Sequence, residues 1–142
     1  MKLSKIDTPC IGVCSTVYGD MVCRGCKRYY NEVIDWNTYS DQQKQTILSR
    51  LEQDIVAVVT KKLSVDDVKL LQQQMQKFNI RYWEGQNALC LAYYLLRDAH
   101  QNIKNINKYG IVIKPSFTHL NFSQLYEIVE HELLIRSEQA IL

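Results

Sequence analysis

The sequence contains few residues that interrupt helices: only 5 of its 142 residues are glycine and only 2 are proline. This shortage favours long helices over a fold of many short strands, which would need frequent turns. Charge of either sign is nearly balanced, with a formal net charge of +2, so the composition lacks the strong positive charge of many nucleic-acid-binding proteins. The apolar fraction of 46% indicates a globular chain and excludes a disordered one.

Long hydrophobic stretches are also missing. The longest apolar runs, "IVAVV" and "ALCLAYYLL", are much shorter than the roughly 20 residues that cross a bilayer. The first residues, "MKLSKIDTPC", lack the apolar segment of a secretory signal. We therefore expect a cytoplasmic protein that does not associate with membranes. In that reducing compartment, clustered cysteines bind metals or carry out redox chemistry more often than they form structural disulfides.

Four of the five cysteines are clustered, in the pattern C-x3-C-x8-C-x2-C formed by Cys10, Cys14, Cys23 and Cys26. Four thiolates complete a tetrahedral shell around zinc, and a glycine within each pair lets the backbone fold closely around a bound sulfur. The spacing therefore predicts one zinc ion. Iron–sulfur clusters also take four thiolates, so a cluster remains the alternative cofactor. Cys90 lies in an apolar segment and is predicted to be a core residue.

Three further roles suit the four cysteines less well. The segment "STVYGDMVCRGCKR" is too polar to bury four thiols merely as small apolar groups. The expected reducing compartment disfavours a disulfide framework. A thioredoxin-like redox pair would need a strand before its C-x2-C and a helix after it, and nothing ahead of Cys23 suggests such a strand.

The cysteine segment resembles a known family. The motif P-C-I-G-V-C is followed by C-x-G-C-x-R, then by E-[IV]-x2-W and a serine that precedes a helix. Together these motifs span about residues 8–53, and they resemble a family of small bacterial proteins of unknown function that are designated as predicted iron–sulfur proteins. The resemblance implies a metal site and no particular activity. Tyr29 and Tyr30 stand where the family often has threonine after the arginine, and residues 63–142 resemble no family.

The chain as a whole is predicted to be mostly α-helical and to have two parts. Residues 1–40 form a cysteine-rich metal-binding module, and residues 41–142 form a helical domain whose first helix, over residues 41–62, links the two. The helical body has about four helices and at most one short strand or hairpin. The best strand candidate is "YGIVIKP", residues 109–115, because it is short, rich in β-branched residues and ends at a proline.

Polar residues mark where the predicted helices begin. Ser40 with Gln43 three residues later forms a capping-box pattern for the linking helix. Ser64 is the predicted N-cap of the next helix, and Asn121 or Ser123 caps the last one. The third helix, "NALCLAYYLLRDAHQNI", is apolar on more than one side and is therefore expected to be central.

A basic and aromatic group follows the third cysteine and is a candidate contact for nucleic acid or another partner: Arg24, Lys27, Arg28, Tyr29 and Tyr30. Cations can contact phosphates, and tyrosines can stack on unpaired bases. We favour the alternative that these cations are solvated and offset the negative charge of a four-thiolate site.

No motif for catalysis is present, because the sequence contains no phosphate loop, dinucleotide fingerprint, zincin motif or nucleophile elbow. The aromatic residues Tyr82, Trp83, Tyr93 and Tyr94 suit a pocket, but their apolar neighbours favour a core position. Three glutamates of the last helix, Glu127, Glu130 and Glu132, are expected to form a solvent-exposed face. The sequence therefore favours a non-catalytic, zinc-type docking module for a protein or nucleic acid, with electron transfer or redox sensing by an iron–sulfur cluster as the alternative.

Overall fold

The computed structural model describes residues 2–3, 8–12 and 14–141, and these residues are mostly helical, as predicted. The α-helices are α1 (Tyr30–Ile34), α2 (Asp41–Val59), α3 (Val68–Lys77), α4 (Ala88–Ala99) and α5 (Phe122–Gln139). The strands are β1 (Lys2–Leu3), β2 (Leu63–Val65), β3 (Tyr82–Trp83) and β4 (Ile111–Ile113). Short 3-10 turns cover Ser15–Tyr18, Trp36–Thr38, Ile106–Tyr109 and Pro115–Phe117.

Reciprocal hydrogen bonds set the start of the two longest helices. The Ser40 hydroxyl accepts from the Gln43 backbone N–H at 3.2 Å, and the Gln43 side chain accepts from the Ser40 N–H at 2.8 Å. Asn121 and Gln124 form the same arrangement at the start of α5. Each pair satisfies N–H groups that have no partner within the helix. The predicted cap at Ser40 is confirmed, and Asn121 is the cap of α5.

The predicted cap of α3 is wrong. Ser64 lies within β2, which pairs antiparallel with β4 and places Ser64 opposite Val112. The helix begins after Asp67, whose carboxylate accepts from the Leu70 backbone N–H at 3.0 Å. Strand pairing with the distant β4 determined the structure at Ser64, although its local sequence is typical of a cap. The predicted strand within residues 109–115 is confirmed as β4.

The described residues contain more strands than the single short strand or hairpin predicted from the sequence. Besides the β2–β4 pair, β1 and β3 form a parallel pair in which residue 2 lies opposite Tyr82 and residue 3 opposite Trp83. Each of these strands is two residues long, too short for an alternating apolar pattern to reveal it. Their pairing brings the start of the chain to the loop that precedes α4.

Helix α4 lies at the centre of the main core, as its apolar surface predicts. It packs against α2, α3 and α5, and its Cys90 is fully buried, which confirms the prediction for this residue. Tyr93 and Tyr94 are also buried. The other elements contribute buried apolar side chains around α4, among them Ile55, Val59, Leu71, Met75, Ile111, Leu125, Val129 and Leu133.

A buried lysine joins β2 to α5. The Lys62 side chain is 2% exposed, and its ammonium group lies 2.5 Å from a carboxylate oxygen of Glu132 and 3.4 Å from the Val58 carbonyl. A buried ammonium group needs such partners, because its loss of hydration is costly. Glu132 is exposed, as predicted, and it also pairs with the buried Lys62.

A second, smaller apolar cluster lies beside the cysteine segment. Its buried members are Trp36, Ile47 and Leu51, and Tyr39 and Leu48 pack against them. The first half of α2 supplies most of this cluster, whereas the second half of α2 enters the main core. The helix thus contacts both regions, and the predicted division at residue 40 stays a prediction.

No membrane-spanning helix is found among residues 2–3, 8–12 and 14–141.

Candidate metal centre

The second cysteine pair lies in a tight turn between two short extended segments. Val22 and Tyr29 face each other in an antiparallel bridge. Within it, the Cys23 N–H donates to the Arg28 carbonyl at 2.9 Å, and the Lys27 N–H donates to the Cys23 carbonyl at 2.8 Å. Cys23 and Cys26 are therefore held on the same turn by backbone hydrogen bonds, and both are buried.

The Cys23 sulfur is surrounded by hydrogen-bond donors. The Cys26 thiol donates to it, as do the backbone N–H groups of Cys26, Ser15 and Gly25. These donors lower the pKa of Cys23 from 9.0 to about 4, with the Cys26 thiol as the largest cause, even though burial acts in the opposite direction. This environment stabilises a thiolate, which is the form that binds metals.

The neighbouring thiol behaves in the opposite way. The pKa of Cys26 is raised, first because Cys26 donates its proton to Cys23 and second because it is buried. Arg28 opposes this shift, since its Nε donates to the Cys26 sulfur at 3.2 Å. Arg28 is itself 3% exposed, and its guanidinium carbon lies 5.0 Å from the centre of the Trp36 ring. A cation is thus buried directly beside a predicted metal ligand.

The first pair is half-buried and has its own contacts. The Gly12 N–H donates to the Cys10 sulfur at 3.4 Å, and Gly12 has a φ of +89°, a conformation that favours glycine. The Cys14 sulfur and the Thr16 hydroxyl form a hydrogen bond at 3.1 Å. Gly12 thus brings its N–H to the Cys10 sulfur, while its role around a bound metal stays a prediction.

Ser15 links the two pairs. Its hydroxyl accepts from the Arg24 backbone N–H at 2.8 Å, and its own N–H donates to the Cys23 sulfur. The residue after Cys14 thus contacts the turn that carries Cys23 and Cys26. Over residues 8–12 and 14–141, however, the side chains do not form a group of three or more Cys, His, Asp or Glu arranged to hold a metal ion.

The hydrogen-bond donors around the cysteine sulfurs still fit a thiolate-bound metal. Each sulfur described above has a hydrogen-bond donor or hydroxyl within reach, and Arg28 supplies positive charge at Cys26. Bound metals need such outer contacts, because they orient the ligands and stabilise their charge. Ligation by Cys10, Cys14, Cys23 and Cys26 stays a prediction.

Lys27 ties the cysteine turn to α5. It has a φ of +66° and is 7% exposed. Its ammonium group donates to the carbonyls of Arg24 and Gly25, at 2.5 and 3.2 Å, and to the Glu130 carboxylate at 2.6 Å. Glu130 also accepts from the Tyr93 hydroxyl. Lys27 and Arg28 are therefore buried rather than solvated, and Glu130 is not part of a freely solvated face.

A second ion pair ties the module to α2. Both guanidinium NH groups of Arg50 donate to Glu32, at 2.6 and 2.7 Å, and Glu32 also accepts from the Tyr29 backbone N–H at 2.9 Å. The Arg50 guanidinium lies 4.2 Å from the centre of the Tyr29 ring. Because Glu32 is 7% exposed, this bidentate pair is largely shielded from water.

Two of the five predicted contact residues face solvent. The Arg24 side chain is 70% exposed and pairs with Asp20 at 3.3 Å, and Tyr30 is 43% exposed. Tyr29 is half-buried under Arg50. Their role in binding nucleic acid or a partner stays a prediction, with Lys27 and Arg28 engaged inside the protein.

The module also exposes large apolar side chains beyond the five predicted contact residues. They are Val17 (73%), Tyr18 (88%), Met21 (63%) and Ile34 (58%), in addition to Tyr30. The Tyr30 N–H donates to the Met21 carbonyl at 2.9 Å, and Tyr30 and Ile34 are four residues apart on α1, so they share a helix face. Their only signal in the sequence is that apolar residues occur within a segment too small to bury them all.

Comparison with protein families supports the view of residues 8–53 as a distinct sequence unit. Residues 8–54 match a family described as "Protein of unknown function (DUF1289)", so this segment, which includes all four clustered cysteines, is similar to an uncharacterised domain family. The resemblance to such a family is confirmed, while its designation as an iron–sulfur family stays a prediction. Comparisons with curated proteins and with solved structures gave no match.

Proposed function

We propose that residues 8–36 bind one zinc ion through Cys10, Cys14, Cys23 and Cys26 and that the folded module docks onto another protein. The observation that carries the proposal is the set of exposed apolar side chains on this module: Val17, Tyr18, Met21, Tyr30 and Ile34. Such a set on a globular domain is typical of an interaction surface. The metal would supply folding free energy, because the module has little core of its own.

The environment of the cysteines supports the metal part of the proposal. Three backbone N–H groups donate to the Cys23 sulfur, and Arg28 donates to Cys26. Ser15 brings the segment after Cys14 to the turn that holds the second pair. These contacts stabilise sulfur in its charged form before a metal binds.

The burial of two cations favours a protein partner over a nucleic acid. Lys27 and Arg28 make their contacts inside the molecule, which leaves Arg24 as the exposed cation of the predicted patch. One phosphate contact contributes little affinity at physiological salt. Exposed aromatic and aliphatic side chains are the groups that anchor protein–protein contacts.

An iron–sulfur protein with an electron-transfer or redox-sensing role is the second candidate. The N–H groups aimed at the Cys23 sulfur suit such a cluster, because hydrogen bonds to sulfur are a means by which proteins set its potential. The same contacts also suit zinc, so metal identity must be measured directly.

Protein purified without oxygen gives that measurement. We expect a colourless sample with about one zinc per chain, following the four-ligand logic of structural sites, and loss of that zinc in Cys23→Ser. A brown sample that contains iron and inorganic sulfide would contradict zinc and establish the cluster.

The docking surface is tested by affinity capture with and without nuclease treatment. The triple variant Tyr18→Ala, Met21→Ala, Ile34→Ala should lose a protein that the wild type retains. The matched control changes exposed apolar residues of the helical body, Val68→Ala, Val112→Ala and Ile135→Ala, and should retain it. Capture that depends on Arg24 and disappears with nuclease would instead show a nucleic-acid contact.

A further inference from the structure

A cavity of about 540 Å³ lies between the cysteine module and the helical body. One side is formed by Pro9 and by the turn from Gly25 to Lys27, and the opposite side by α2, α4, α5 and the loop between β3 and α4. Its volume falls within the range of roughly 300–1,000 Å³ that holds small-molecule ligands. Nothing in the proposed docking function requires this space.

Much of the cavity wall is aromatic or aliphatic. Trp83, Tyr93 and Tyr94 line it, together with Leu48 and Leu133. The rings of Trp83 and Tyr94 lie 6.3 Å apart, and those of Tyr93 and Tyr94 lie 5.7 Å apart. These neighbouring rings suit an aromatic guest, since such rings prefer tilted or offset contacts at centroid separations of about 4.5–7 Å.

The polar groups of the wall include hydrogen-bond donors with remaining capacity. The Arg97 guanidinium packs over Tyr94 at 4.9 Å and donates from Nε to the Asp98 carboxylate at 2.9 Å, and Arg81 donates one N–H to the Cys10 carbonyl. A guanidinium carries five N–H donors, so both arginines can serve a further acceptor.

The carboxylates of the wall already have partners. Asp54 accepts from Arg136 at 2.8 Å, and Glu52 accepts from the Asn87 backbone N–H at 3.0 Å. Neither partner lines the cavity. The remaining N–H groups of Arg81 and Arg97 favour a guest with a carboxylate, because the guanidinium fork matches the geometry of a carboxylate.

We propose that this cavity binds a small aromatic carboxylate. The ring lies among Trp83, Tyr93 and Tyr94, and the carboxylate accepts from Arg97 and Arg81. Hydrogen bonds between a guanidinium and a carboxylate are charge-assisted, the stronger kind.

Three probes of similar shape test the class of ligand on the protein as purified: naphthoate, naphthylmethanol and naphthylmethylammonium. The chain has two tryptophans, so its proton–nitrogen NMR spectrum contains two indole N–H signals, which the variant Trp83→Phe assigns. We expect naphthoate to shift the Trp83 signal saturably while the Trp36 signal stays in place. The neutral and cationic probes should bind at least about tenfold more weakly, the effect of one charge-assisted hydrogen bond.

A matched pair of variants locates the charge that selects the carboxylate. Arg97→Gln should weaken naphthoate binding about tenfold, whereas Arg24→Gln, which removes an exposed arginine away from the cavity, should leave it unchanged. Equal binding of all three probes, equal effects of the two variants, or no saturable shift of the Trp83 signal would each overturn the proposal. The probe comparison uses wild-type protein, so it decides the question even if Arg97→Gln does not fold.

Discussion

The cysteine module, residues 8–36, and the helical body, which contains α2 to α5, are stabilised in different ways. The body buries one large apolar cluster around α4, whereas the apolar cluster beside the module consists of Trp36, Ile47 and Leu51. The module instead buries charged groups, among them Lys27, Arg28 and Glu32. Apolar burial stabilises without precise geometry, but buried charges stabilise only when each is paired. The module is therefore expected to depend on specific contacts and on a bound metal far more than the body does.

Metal loss is expected to give the largest difference between the two regions. The variant Cys23→Ser should unfold residues 8–36 and leave α3, α4 and α5 folded, because structural zinc contributes roughly 10–16 kcal/mol to small modules of this kind. Hydrogen exchange followed by mass spectrometry measures the two regions separately. Cys90→Ala removes a cysteine from the main core and should leave metal content unchanged. Loss of protection throughout the chain after Cys23→Ser would show that the two regions share one folding unit.

Removing a buried side chain from the main core should instead destabilise the helical body and leave the metal site intact. Leu71 is fully buried, so Leu71→Ala is expected to lower the free energy of unfolding of the body by about 2–5 kcal/mol. Metal content should not change, because Leu71 lies in the main core and not beside the cysteines. Val112→Ala, at a residue 44% exposed, is the matched control and should have little effect. Release of metal from the Leu71 variant would contradict the independence of the regions.

The ion pair between Lys27 and Glu130 should affect both regions at once. Glu130→Gln leaves the buried Lys27 ammonium group without its charged partner, which should cost about 2–3 kcal/mol of stability. A fully buried pair would cost roughly 3–5 kcal/mol. The expected cost is smaller here because the Glu130 side chain is 22% exposed. Chemical denaturation with and without chelator measures this cost. Glu127→Gln changes an exposed glutamate of the same helix and should be neutral. An effect on one region only would show that this pair does not couple them.

The smallest expected effect concerns the start of α2. Ser40→Ala removes the hydroxyl that accepts from Gln43 and should destabilise the protein by about 1 kcal/mol. Ser64→Ala changes an exposed serine of β2 and should stay within about 0.5 kcal/mol of wild type. Thermal unfolding of the two variants compares Ser40, which caps α2, with Ser64, which has the sequence pattern of a cap but lies in a strand. Equal losses would contradict the role of Ser40 as the cap.

Local signals were sufficient to predict features that depend on neighbouring residues. The capping box of α2 and the β4 strand follow from residues close together in sequence. In contrast, Ser64 has the local pattern of a cap but lies in β2, because its strand pairs with β4 far along the chain. Short-range patterns do not contain that pairing.

The same limit applies to the candidate metal centre. Cysteine number and spacing predict the ligands, because a closed thiolate shell needs four sulfurs. The sequence did not reveal that Lys27 would be buried against Glu130, a residue 103 positions away, or that Arg28 would contact Cys26. A cation is expected to be solvated unless tertiary structure supplies partners for it.

The buried Lys62 next to the exposed Lys61 has a consequence for chemical labelling. Because the two lysines are adjacent, they are measured in the same peptide, and the exposed Lys61 serves as the reference for the buried Lys62. An amine-acylating reagent applied to the native protein should modify Lys61 and spare Lys62, whose ammonium group is enclosed by Glu132 and Val58. Modification of Lys62 therefore reports the separation of α5 from the end of α2, so a single residue can record when this part of the molecule opens.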